Sequence, residues 1–117
     1  MLGPMARCSC ELTLALLAHF GCPHARKMLQ QGTTRVGEWG AENWLQHMAE
    51  EEARFFPLLP QPVRAHLRRE HTVVRRMFEH RGPNARVPDS IARGHAELED
   101  QWAEYIARQR GLKLHSH

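Results

Sequence analysis

Apolar residues return every three to four positions along three stretches of this chain. One stripe runs through Val36, Gly40, Trp44, Met48, Phe55 and Leu58, the next through Val63, Leu67, Val74 and Phe78, and another through Ile91, Leu98, Trp102 and Ile106. This is the helical period, and no strand-like alternation of useful length competes with it. Glycine and proline punctuate the stripes. Gly32-Thr33-Thr34 closes the first segment, Pro57, Pro60 and Pro62 separate the second from the third, and Gly82-Pro83-Asn84 with Pro88 closes the third. Asp89 and Ser90 offer a cap to the last helix and Gly111 a stop. Short connections between such helices favour antiparallel neighbours. The pattern therefore predicts an all-α, up-down-up-down four-helix bundle over residues 11–111, preceded by an N-terminal segment, 1–10, and followed by a tail, 112–117.

The first segment, Glu11 to Gln31, is interrupted by Gly21-Cys22-Pro23. A proline inside a helix removes a hydrogen bond and clashes with the preceding turn. One kinked helix and two short ones are both consistent with this.

The stripes have polar gaps. His47 and Glu51 fall between Trp44 and Phe55, His71 between Leu67 and Val74, and His95 and Glu99 between Ile91 and Trp102. Residues four apart lie one above the other on a helix, so His47 and Glu51 share a face, as do His95 and Glu99. A single His-x-x-x-Glu is commonplace on a solvated face. Two of them on apolar stripes, joined by a third stripe histidine, ask for another explanation. A buried carboxylate is neutralised, paired or bound to metal. Mixed imidazole and carboxylate ligands suit iron, manganese or zinc. A metal-free His/Glu network in the core is the bland alternative. Glu52, beside Glu51, is placed to support a ligand from behind.

Composition adds the count of nine histidines in 117 residues, high for the metal-ligating side chain par excellence. His115 and His117 sit in the polar tail and add little. Cys8, Cys10 and Cys22 have no framework spacing; a thiolate zinc site of these cysteines with His24 is disfavoured by the tight C-x-C, and ordinary reduced thiols are expected. Leu12 to Phe20 is apolar, but Glu11 before it and His19 near its end do not suit a secretory signal. With no run near the roughly 20 apolar residues of a membrane span, the expectation is a cytoplasmic protein without membrane association. The net charge is +3, and the third segment carries Arg64, Arg68, Arg69, Arg75, Arg76 and Arg81. These spread around the helix and are interrupted by Glu70 and Glu79, so a solvated face is expected rather than a nucleic-acid surface.

The run from His47 through Glu51-Glu52 to Phe56-Pro57 resembles the hemerythrin-like, or HHE, cation-binding family. Glu70-His71 resembles that family's third-helix Glu-His, and His95-x-x-x-Glu99 its fourth-helix motif. The resemblance covers roughly residues 10–110. It implies an antiparallel four-helix bundle around a non-haem di-iron centre, with zinc or manganese as other occupants, and a function in binding or sensing dioxygen, nitric oxide or peroxide. It also asks for a first-helix histidine. His24 shares a face with Leu17, Gly21 and Met28 if the helix is continuous, whereas His19 lies deeper in the segment. Both remain candidates. The oxygen carriers of the family have a second third-helix histidine, and this chain has Leu67 and Arg75 at the two corresponding positions. That departure moves the expectation from carrier toward sensor or redox protein. A di-iron enzyme acting on peroxide or nitric oxide is the alternative, although Tyr105 is the sole, weak proton-donor candidate. A metal-free interaction module with a basic third helix is another. The sequence leaves monomer and dimer both open.

Overall fold

The structure is a computed structural model that describes residues 8–114. The chain is helical: α1 spans Glu11–His19, α2 Pro23–Gln31, α3 Ala41–Glu50, α4 Gln61–Arg81 and α5 Asp89–Gln109. Among the described residues, extended-chain pairing is limited to the antiparallel bridge between Ser9 and Arg35. Residues 1–7 of the N-terminal segment, and 115–117 with His115 and His117, lie outside the described residues. No helix among the described residues is long and apolar enough to cross a membrane.

The interruption of the first segment is a full stop and a restart. Gly21 adopts φ +89°, a left-handed conformation that costs glycine little. The Cys22 N–H then donates back to the Leu17 carbonyl at 3.0 Å, satisfying an end of α1. Pro23 opens α2 at a position where its missing N–H is not needed, and the Cys22 sulfur accepts from Ala25 N–H at 3.4 Å. Two short helices, rather than one kinked helix, are the outcome.

Helix α3 does not end at Glu50. It widens into a π-helical turn, Glu51–Phe55, and tightens into a 3₁₀ turn, Phe56–Leu58. The Phe56 N–H donates to the Glu51 carbonyl five residues back. Pro57, which lacks an N–H, follows at once. Such widened turns recur at functional sites because they re-aim side chains. Here the turn buries the adjacent Phe55 and Phe56 completely and starts at Glu51.

The core is built on Leu14, Leu16 and Leu17 of α1, Met28 of α2, Trp44 and Met48 of α3, Phe55 of the π turn, Phe56 of the 3₁₀ turn, and Leu67 of α4. The inward face of α5 differs from the predicted stripe. It consists of Ala92, His95, Ala96, Glu99, Ala103, Ile106 and Ala107, while Leu98 and Trp102 are half-buried. Alanine leaves room beside two large polar side chains. The arginines of α4 take up separate tasks: Arg75 pairs with Glu52 at 2.8 Å, and Arg68 lies over the Phe56 ring at 5.6 Å.

Truncating Phe55 removes a fully buried aromatic at the end of the π turn. Phe55→Ala is expected to cost about 3–5 kcal/mol in urea unfolding, whereas Val73→Ala, at a site 53% exposed, should change stability by less than about 0.5 kcal/mol.

Candidate metal centre

Three imidazoles and two carboxylates meet in the core. His47 comes from α3, Glu51 from the start of the π turn, His71 from the middle of α4, and His95 and Glu99 from α5. All five are buried, none more than 1% exposed. The i,i+4 pairs close as helical geometry dictates: His47 Nε2 lies 2.9 Å from Glu51 Oε2, and His95 Nε2 lies 2.9 Å from Glu99 Oε1.

The cross-helix distances organise the cluster. His71 Nε2 stands 3.2 Å from Glu51 Oε1 and 3.7 Å from Glu99 Oε2. His47 Nε2 stands 3.5 Å from Glu99 Oε1, and His95 Nε2 stands 3.6 Å from Glu51 Oε1. Each carboxylate thus turns one oxygen toward His47 and the other toward His71. Atoms bound about 2.0–2.2 Å from a common ion stand roughly 3–3.6 Å apart, and most of the cross-helix separations fall in or near that interval.

One ring is held by a hydrogen bond from behind. The His71 Nδ1–H donates to Glu52 Oε2 at 2.7 Å, and Glu52 is held in turn by Arg75. His95 Nδ1 faces Glu70 Oε1 at 3.8 Å. Aromatic contacts restrain the rings further: Phe56 stacks on His71 at 4.9 Å, Trp39 meets His47 edge-on at 4.8 Å, and Trp44 lies 5.2 Å from His95. A proton held on His71 Nδ1 leaves Nε2 as a lone pair aimed into the cluster.

Those inward atoms have no hydrogen-bond partner among the described residues: His47, His71 and His95 Nε2, both oxygens of Glu51, and Glu99 Oε2. Buried polar atoms in proteins are nearly always satisfied, and a cation is what this set of lone pairs would satisfy. Burial works against the ionised form of Glu51, but the imidazoles of His47 and His95 and the close approach of His71 outweigh it, so its pKa stays below the usual carboxylate range. Burial also lowers the His95 pKa, against the pull of Glu51 and Glu70. Neutral imidazole beside carboxylate is the protonation state that a metal requires. The donors present fit one or two divalent ions, with His95 and Glu99 common to two overlapping groups.

The two first-helix candidates differ in their surroundings. His19 is exposed at the end of α1, edge-on to Phe20 at 6.1 Å. His24 on α2 is half-buried; its pKa is lowered by burial and then by His47, and its Nε2 is buried without a partner. Neither belongs to the two groups. Cys10 does, together with His47, His95 and Glu99. It precedes α1, outside every apolar stripe, so periodicity gave no sign of it. Glu70, an interruption of the basic face and part of the Glu70-His71 pair in the sequence, had no role at the centre assigned to it there. Asp100 turns away from the cluster and accepts from Thr13 N–H and Oγ1–H at 3.0 and 2.8 Å; burial raises its pKa to about 6. Tyr105 lies on the surface, 53% exposed.

Compared with known proteins, the chain matches no family model, no curated protein and no solved structure. The chemistry of the centre therefore has to be read from its own residues. Glu52→Ala removes the acceptor behind His71 without entering the cluster. It should weaken zinc or cobalt affinity about 10–100-fold in a chelator competition; unchanged affinity would show that Glu52 does not orient the ring.

Proposed function

We propose that this chain is a hemerythrin-like protein whose core holds a pair of iron ions and which binds or senses a small oxidant such as dioxygen, nitric oxide or peroxide. In this reading α1 and α2 together are the broken first member of an antiparallel four-helix bundle, and α3, α4 and α5 are the other three. The observation that carries it is the splay of the two carboxylates. Glu51 places Oε2 at 2.9 Å from His47 and Oε1 at 3.2 Å from His71, and Glu99 divides its oxygens in the same sense. Two carboxylates spread in this way are disposed to bridge a pair of cations rather than to chelate one.

Iron, when bound, would supply the redox or small-molecule chemistry. The chain's own residues aim three imidazole nitrogens at one place, set two carboxylates between them and exclude bulk water from the cluster. Zinc and manganese accept the same nitrogen and oxygen donors, so metal analysis distinguishes them from iron. Binding or sensing is preferred to turnover, because Tyr105, the proton donor considered for catalysis, is at the surface.

Protein purified without chelators, or reloaded with ferrous iron, should contain about two iron ions per chain, as two-metal sites do, and its visible absorption should change on adding nitric oxide. His71→Ala and His95→Ala should each abolish that response. Metal at about 100 times its dissociation constant should raise stability by about 2.7 kcal/mol. Less than about one ion per chain after loading, as a two-metal site does not allow, would reject the reading.

A further inference from the structure

Two of the three cysteine sulfurs are engaged by backbone groups. Cys8 Sγ donates to the Asp89 carbonyl at 3.7 Å, and Cys22 Sγ accepts from Ala25 N–H. Cys10 is different. It is completely buried, and its thiol donates at 3.8 Å to Glu99 Oε1, a carboxylate oxygen of the cluster itself. That oxygen is also 3.5 Å from His47 Nε2 and 2.9 Å from His95 Nε2. Cys10, His47, His95 and Glu99 each offer a ligand atom within 4.8 Å of the others. The two imidazole nitrogens in that set have no hydrogen-bond partner among the described residues.

The backbone holds Cys10 in this place from both sides. Its N–H donates to the Thr34 carbonyl at 2.9 Å, and its own carbonyl accepts from Leu14 N–H at 2.9 Å as the first bond of α1. Ser9, one residue earlier, bridges to Arg35. The side chain enters the centre from the start of the first helix, the element that supplies no imidazole to either group.

We propose that Cys10 is a thiolate ligand of the metal centre, on its His47 side. The inference rests on the di-metal reading above and makes the two ends of that centre unlike. One end carries sulfur, imidazole and carboxylate; the other, at Glu51 and His71, carries oxygen and nitrogen alone. Binding breaks the S–H bond and forms a metal–sulfur bond, and the proton leaves to solvent without any change of oxidation state. Charge favours the step. Two divalent cations with two carboxylates leave a buried double positive charge, and a thiolate reduces it by one, lowering the cost of burial. Softness adds selectivity, because sulfur binds zinc or iron in preference to manganese or magnesium.

Cobalt(II) reports both claims in one spectrum. The loaded full-length protein should show visible ligand-field bands from the centre and a near-ultraviolet sulfur-to-cobalt charge-transfer band. Cys10→Ser should lose the sulfur band entirely, while Cys8→Ser and Cys22→Ser keep it. X-ray absorption of the zinc-loaded wild type should detect sulfur at about 2.3 Å, a result that needs no variant to fold. Ligand-field bands without the sulfur band, with only nitrogen and oxygen around zinc, would overturn the assignment of Cys10 and leave the His/Glu centre standing. Failure to retain cobalt or zinc at all would overturn both.

Discussion

Taking a carboxylate out of water costs several kcal/mol even after the protein relaxes around it, and this chain does so twice within one small core. Glu51 and Glu99 are fully buried, and their close nitrogen partners among the described residues are all imidazoles. An arginine would have settled the charge permanently. Histidine settles it only when protonated, and burial lowers the proton affinity of His95. The arginine nearest in function, Arg75, is spent one shell out, on Glu52. A core organised in this way is poised for a cation, and the features around it follow from that requirement.

The backbone does the aiming. An α-helix delivers an i,i+4 pair to one face, which accounts for His47 with Glu51 and His95 with Glu99. It does not by itself bring α3, α4 and α5 to one point. The widened turn at Glu51–Phe55 begins at the carboxylate and buries Phe55 and Phe56, the second of which stacks on His71. The alanines of α5 make space at the same level. Glu52 then holds the His71 ring from behind, and Glu70 faces the His95 ring at 3.8 Å. Packing and polar support converge on the orientation of three imidazole nitrogens.

Much of this was legible in the sequence because helical periodicity reports burial. His47, Glu51, His71, His95 and Glu99 declared themselves as polar residues on apolar stripes, and all five meet in the structure. The all-helical character was legible for the same reason. Periodicity was silent where it does not apply. Cys10 precedes the first helix and is positioned by hydrogen bonds to Leu14 and Thr34, the latter far along the chain. The π turn has no sequence period of its own. Alanine reads as neutral on a hydrophobicity stripe, so Leu98 and Trp102 drew the predicted face of α5 away from the one that is buried. The choice between His19 and His24 assumed that an imidazole completes the cluster from the first segment. Gly21 and Pro23 divide that segment into two helices, and neither histidine enters the groups that Cys10 joins.

The central claim is that the buried carboxylates are there to hold metal. Anomalous diffraction at the iron edge, from crystals of iron-loaded protein, tests it most directly. The account predicts a pair of anomalous peaks about 3.5–4 Å apart, enclosed by His47, His71, His95, Glu51 and Glu99. An empty anomalous map at that cluster, with iron found only at exposed histidines such as His19 or His66, would contradict it.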